Sequence, residues 1–175
     1  MDISFQLYSA RNFSSLAELL PMLKELGYAQ VEAYGDLYAN PDELRQLLRA
    51  SGLAMPSGHF SLAQLQDMPA TLKIAGQLDI KTLICPWLEP IDRPVSLDGW
   101  RKLAGGLEKL SLSYAQHGLA VAWHNHDFEF LPLETGETPM QILLDNAPAI
   151  GWQFDAAWSV KAGENPLAWI KEYGP

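Results

Sequence analysis

The sequence predicts a parallel α/β fold, on three observations. Short apolar runs alternate with longer stretches of helical periodicity. The alternation repeats six times in 175 residues. Polar, chemically active residues collect where the apolar runs end. Strict alternation implies parallel strands joined by crossover helices, and about 29 residues per repeat is close to the usual length of a βα unit. No linker or low-complexity stretch interrupts the pattern, so a single domain over 1–175 is expected.

Each element carries its own punctuation. Ile3 to Tyr8 reads as the first strand, and Ser15-Leu16-Ala17-Glu18 as a capping box that opens a helix striped by Leu16, Leu19, Leu20, Leu23 and Leu26 and closed by Gly27. Ala29 to Tyr34 is the second strand. Asn40-Pro41-Asp42-Glu43 starts the next helix, with acids at the positive end of its dipole, and Gly52 ends it. Ala54 to Phe60 is the third strand, followed by a helix from Ser61 to about Gly76 with a break near Pro69. Lys81 to Pro86 is the fourth strand. A Pro-rich loop, Leu88 to Pro94, leads into a long helix from Ser96 to Gln116, closed by Gly118. Leu119 to His124 is the fifth strand, Thr138-Pro139-Met140-Gln141 a second capping box, Ile150 to Asp155 the sixth strand, and Asn165-Pro166 a last helix start.

Composition narrows the classes of function. Apolar residues make up 48% of the chain and charged residues 19%, enough for a core and too few charges for a disordered chain. The net charge of −9 argues against a surface that neutralises nucleic-acid phosphates. It leaves room for a small anionic substrate, which needs only one or two local cations. Cys85 is the single cysteine, so neither an intrachain disulfide nor a cysteine zinc site can form; its setting, Thr-Leu-Ile-Cys-Pro, reads as buried packing. No signal-like N-terminus and no apolar run long enough to span a bilayer is present, and a cytoplasmic protein is expected. There is no Walker loop, no G-x-G-x-x-G and no G-x-S-x-G elbow.

In parallel α/β folds the site lies at the C-terminal ends of the strands. Those ends carry Glu32, His59, Trp87, His124 with His126, and Asp155, at intervals of 27 to 37 residues. Residues one βα unit apart are expected to converge on one rim. The most informative stretch is Trp123-His124-Asn125-His126-Asp127-Phe128-Glu129-Phe130. In an extended segment His124 and His126 point the same way, and two such imidazoles can bind a metal or hold a proton near neutral pH. Asp155 at the tip of a buried strand needs a cation, a basic partner or a following loop to cap. Glu32 follows the same logic. Trp87 and Trp158 offer flat faces suited to a sugar-like ligand, or to packing.

These pieces resemble a known family. Gly27-Tyr28 through Glu32, Ser57-Gly58-His59, the His124–Phe130 motif, Asp155 through Trp158 and Ala162-Gly163-Glu164-Asn165-Pro166 are similar, in this order, to the sugar phosphate isomerase/epimerase group of xylose isomerase-like TIM barrels. The resemblance implies a (β/α) TIM-type barrel of which this chain carries about six of eight βα units. It also implies a divalent metal (Mn²⁺, Mg²⁺, Co²⁺ or Zn²⁺) held by acids on strands five and six, a His on strand seven and a Glu on strand eight. Asp155 matches the strand-six ligand. His124 stands where the strand-five acid usually is, so either His124 ligates or Glu129 takes over. His126 matches a substrate-facing position. Family members typically follow with His-x-Lys-Asp on strand seven, which this chain does not contain.

The implied activity is a metal-dependent isomerase or epimerase acting on a sugar, sugar phosphate or keto-sugar through an enediolate. His126 and Glu129 are the candidate proton-transfer residues; Glu32, His59, Trp87 and Trp158 the substrate contacts; His124 and Asp155 the metal ligands. The alternatives are a 3-keto-glycoside lyase or hydrolase sharing the enolising step, an endonuclease of the same superfamily that the charge disfavours, and a non-catalytic fragment. Six units leave strand edges and apolar helix faces uncovered, so a homo-oligomer is also expected, with neither nucleic acid nor membrane as a partner.

Overall fold

A computed structural model describes residues 2–13 and 15–174. The chain divides into two compact units, Met1–Ile84 and Cys85–Pro175. Strand–helix alternation holds in both.

The first unit contains β1 (Ser4–Gln6), α1 (Leu16–Glu25), β2 (Gln30–Ala33), α2 (Pro41–Ser51), β3 (Ala54–His59), α3 (Leu62–Gln66) and α4 (Met68–Leu78), and runs into β4 (Thr82–Cys85). β1 pairs with β2, β2 with β3 and β3 with β4, all parallel. The register sets Gln6 beside Glu32 and Glu32 beside Ser57, so three polar side chains share one level of the sheet. Leu20, Val31, Phe60, Leu65 and Leu83 are completely buried around it. Burying a side chain of this size stabilises the fold by about 1.5–3 kcal/mol.

Two local expectations need correction here, and a third is located more closely. The first strand stops at Gln6, whose side chain accepts a hydrogen bond from the Tyr8 amide and turns the chain into a 3-10 helix at Leu7–Ala10. The Ser15 box does not form: Ser15 begins α1 without a side-chain cap, and Leu26 is 69% exposed because the buried stripe is Leu19, Leu20 and Leu23. The third helix is two helices, and the break near Pro69 falls at Asp67. Asp67 accepts from the Ala70 amide as N-cap of α4, and Pro69 sits in the first turn, where a missing N–H costs nothing.

The second unit contains α5 (Leu97–Ala115), β5 (Ala120–His124), α6 (Pro139–Asn146), β6 (Gly151–Gln153), α7 (Ala156–Lys161) and α8 (Pro166–Tyr173). β5 and β6 are parallel, with His124 beside Gln153. The Thr138 capping box forms in both directions with Gln141. Trp100, Tyr114, Trp123, Phe130 and Met140 fill the core of this unit. α7 was not expected. The sixth strand ends two residues before Asp155, and Asp155 instead caps α7 by accepting from the Trp158 amide at 2.9 Å. No described helix is long and apolar enough to cross a membrane.

One close approach in the first unit is testable. A Cβ added at Gly58 would run into the Tyr38 hydroxyl, with Ile80 at 3.3 Å behind it. That hydroxyl is buried without a hydrogen-bond partner among the described residues, and the Tyr38 ring stacks on Phe60 at 4.4 Å. Gly58→Ala is expected to destabilise the protein by about 2 kcal/mol in urea unfolding. Tyr38→Phe removes the obstructing atom and no hydrogen bond, so Gly58→Ala in that background is expected to recover more than half of the loss.

Candidate active site

The strand-end cluster of the second unit is built around His126. β5 delivers His124, and the chain then leaves extended structure, passing Asn125 and His126 into a 3-10 turn at Phe128–Phe130. The His126 ring is enclosed by Trp87 at 4.7 Å, His124 at 5.0 Å, Trp158 at 4.9 Å and Phe128 at 6.1 Å between centroids. Burial in this aromatic surround, with His124 beside it, pushes the His126 pKa down to about 4, against the opposing pull of Asp155 and Asp127. The imidazole is neutral at any pH near 7. Its Nδ1 is buried without a partner among the described residues.

His124 and Asp155 come together at neighbouring strand ends, with His124 Nε2 4.0 Å from Asp155 Oδ2. Both side chains are only partly exposed. Asp155 Oδ1 is committed to capping α7, which leaves Oδ2 facing the imidazole. A shared cation about 2.1 Å from each donor sets two donors about 3 to 4 Å apart, so this nitrogen and oxygen fit two coordination positions of one divalent ion. They are not a complete shell: among the described residues no three His, Cys, Asp or Glu side chains cluster closely enough to hold a metal.

Glu129 has a different place. It is fully buried. One carboxylate oxygen accepts the Trp123 indole N–H at 3.1 Å, the other the His126 amide at 2.8 Å. Burial raises its pKa to about 7, opposed by these hydrogen bonds and by the charge of Arg93. The carboxyl therefore ties the β5 side chain Trp123 to the loop that carries His126. Asp127, held below its ordinary carboxylate range chiefly by a hydrogen bond from Lys161, secures the same loop from outside at 2.8 Å, and Lys161 also lies 4.3 Å over the Trp158 ring. Trp87 is 37% exposed and Trp158 half-buried, each against His126, so both line the cluster.

In the first unit Glu32 and His59 form a pair at the ends of β2 and β3, with His59 Nε2 3.0 Å from Glu32 Oε1. Gln6 donates to the same oxygen at 2.6 Å, and the Ser57 hydroxyl donates to Oε2. Glu32 is thus a carboxylate satisfied by three side chains on the two strands that flank β2. Gln6 and Ser57 were missed in the sequence; their signal was register, since both stand level with Glu32. Cys85 is buried with its thiol pushed up to about 12, in keeping with a packing role.

Asn125 was missed too. It is fully buried, with its side-chain oxygen accepting from the Trp152 indole and the Asp155 amide, both at 2.9 Å, and its amide donating to the Asp155 carbonyl at 3.0 Å. Alternation could have found it: if His124 and His126 face one side, Asn125 faces the other, into the core, where a polar side chain must be paired.

Comparison with known proteins adds the fold. No protein-family profile matches the chain, and no curated protein matches it in sequence. Solved structures do match. A sugar phosphate isomerase/epimerase from Parabacteroides distasonis superposes with a TM-score of 0.85 at 17% identity, over 98% of this chain and 71% of that one. The IOLI protein with a bound zinc atom superposes with a TM-score of 0.73 at 14% identity, over 94% of this chain and 66% of that one. D-psicose 3-epimerase in the presence of D-fructose gives 0.70 at 12% identity, over 100% and 70%. The likeness drawn from sequence motifs therefore holds at the level of fold: the chain has the (β/α) TIM-barrel fold of these structures, with six strand–helix units.

Two outcomes follow from this geometry. Asn125→Ala leaves an indole N–H, an amide and a carbonyl of β6 and its end unpaired, and is expected to cost about 3 kcal/mol or more in denaturant unfolding. Glu129 makes stability fall with rising pH. Below about pH 4.5 the carboxyl is neutral in both states; between 4.5 and about 7 only the unfolded state ionises, which favours unfolding. The loss reaches about 3 kcal/mol above pH 7. Glu129→Gln also turns a side-chain donor toward one of two N–H groups, so its absolute stability shifts, but the slope over pH 4.5–7 is expected to flatten. An unchanged slope in unfolding curves would refute the assignment.

Proposed function

We propose that this chain carries one side of an isomerase or epimerase site for a sugar or keto-sugar, working by proton transfer next to a carbonyl. The observation that supports it most is the neutral His126 ring, set in an aromatic surround beside the His124–Asp155 pair. His124 and Asp155 would hold a divalent cation in two of its positions. Such a cation supplies polarisation of the substrate carbonyl and acidifies the neighbouring C–H.

The chain's own residues do the rest. Trp87 and Trp158 present flat faces to the C–H surfaces of the sugar and keep water off His126. Neutral His126 is in the form that accepts a proton. With a pKa of about 4 it is a weak base and, once protonated, a strong acid. It can therefore take a proton only from a carbon made acidic by a polarised carbonyl, and it returns that proton readily to the adjacent carbon or the opposite face. Glu129 is sealed from substrate, and its role is to hold the His126 loop rather than to touch the reacting atoms. The Glu32–His59 pair is assigned to substrate hydroxyls, its carboxylate held by Gln6 and Ser57.

The test is solvent exchange. The chain is incubated with Mn²⁺ and a panel of ketoses in D₂O, and deuterium at the carbon beside the carbonyl is read by NMR. Incorporation is expected for at least one sugar and is expected to drop about 100-fold or more in His126→Asn. His124→Ala and Asp155→Asn are expected to weaken Mn²⁺ binding by about tenfold or more in metal titrations. Exchange that survives His126→Asn unchanged would remove His126 from the mechanism.

A further inference from the structure

The loop between β4 and α5 holds a cation that the mechanism does not use. The Arg93 guanidinium lies 3.6 Å from the centroid of Phe128 and 4.3 Å from that of Trp87. Its Nε donates to the Leu88 carbonyl at 3.0 Å. Two aromatic rings and one carbonyl thus fix the group in place. Its Nη2 atom is buried and has no hydrogen-bond partner among the described residues.

Arg93 differs from four of the chain's cations in having no acidic partner among the described residues. Arg45, Lys81, Arg101 and Lys161 each lie against a carboxylate. Among the described residues no carboxylate lies within ion-pairing distance of Arg93, in a chain with 21 acidic residues. A guanidinium that only packed on rings would gain nothing from a buried, unpaired amino group, whose desolvation opposes the arrangement. With Nε committed to Leu88, the terminal amino groups form the end of the fork that matches phosphate or carboxylate oxygens. Trp87 touches Arg93 on one side and His126 on the other, so the cation and the proton-transfer candidate share one aromatic wall. The charge of Arg93 is felt at both His126 and Glu129, which places it within electrostatic reach of the cluster.

We infer that Arg93 is the anion-recognition residue of this site and selects sugars bearing an anionic oxygen group, a phosphoryl or a carboxyl. The inference rests on the reading of the His126 cluster as a sugar site and names the substrate class within it.

The experiment measures binding, not turnover. The full chain, with a chelator present so that no metal contributes, is titrated calorimetrically with D-fructose, D-fructose 6-phosphate and D-glucuronate. At least one anionic sugar is expected to bind about tenfold or more tightly than D-fructose. Arg93→Met, which keeps the packing between the rings, is expected to reduce that preference to about twofold or less while leaving D-fructose affinity unchanged. A preference for the phosphate alone assigns the phosphoryl group; one for glucuronate alone assigns the carboxyl. Equal affinity for all three, or a preference that survives Arg93→Met, overturns the proposal. A measurement on the unaltered chain guards against a variant that fails to fold: inorganic phosphate or acetate, whichever matches the anion preferred in the titration, is expected to shift the Arg93 Nε–H resonance, and no shift by either overturns the proposal as well. An Arg93-dependent anion preference without solvent deuterium exchange would leave Arg93 assigned and sink the isomerase reading; exchange without anion preference would do the reverse.

Discussion

The candidate site depends on one side chain that faces away from it. Asn125 is buried below the β5 end and pairs with both backbone groups of Asp155, as a neighbouring strand would. The ladder between β5 and β6 has already ended at His124 and Gln153, and beyond it Asn125 ties Asp155 to the β5 end. The third hydrogen bond, from the Trp152 indole, uses the remaining acceptor capacity of the Asn125 oxygen. An aspartate at this position would lose the donor to the Asp155 carbonyl, and a leucine would lose all three bonds. Core hydrogen bonding by Asn125 thus sets the backbone from which Asp155 comes within 4.0 Å of His124.

Burial does the second part of the work. His126 is kept neutral and Glu129 is kept near its point of ionisation by the same cause, removal from water. The two respond in opposite directions because one is charged when protonated and the other when deprotonated. The aromatic side chains Trp87, Phe128 and Trp158 thus have an electrostatic effect as well as a packing one. Both backbone ties on this loop, Glu129 to the His126 amide and Asn125 to Asp155, come from buried side chains, and this lets a short irregular segment hold its place without a strand or a long helix.

Much of this was legible in the sequence, and the reasons are physical. Alternation, Pro at helix starts and Gly at helix ends act over a few residues, so the six βα units, Asn40, Thr138 and Gly52 could all be read directly. The strand ends that carry Glu32, His59, His124 and His126 followed from the same periodicity. What could not be read depends on contacts between distant segments. Whether Ser15 caps α1 depends on its own geometry and not on the motif. α7 exists because Asp155 caps it, and in the sequence Asp155 looked like the end of a strand. Glu129 looked reachable in a polar motif, but its turn points it inward, toward Trp123. Arg93, in a Pro-rich loop, gains its meaning only from two rings, one of them 35 residues downstream.

The two buried carboxylates show how environment divides labour among like groups. Glu32 receives donors from three side chains, Gln6, Ser57 and His59, on the strands either side of it. Side-chain donors can rotate, and a hydroxyl or an amide can transfer its hydrogen bond to a substrate oxygen without breaking backbone structure. Glu129 is held by a backbone amide and an indole inside the core, neither of which can turn away without moving the β5 end. An adaptable carboxylate suits recognition of hydroxyls; a fixed one suits the support of a loop. On this reasoning the Glu129 network is the part of the His126 cluster that should tolerate least change.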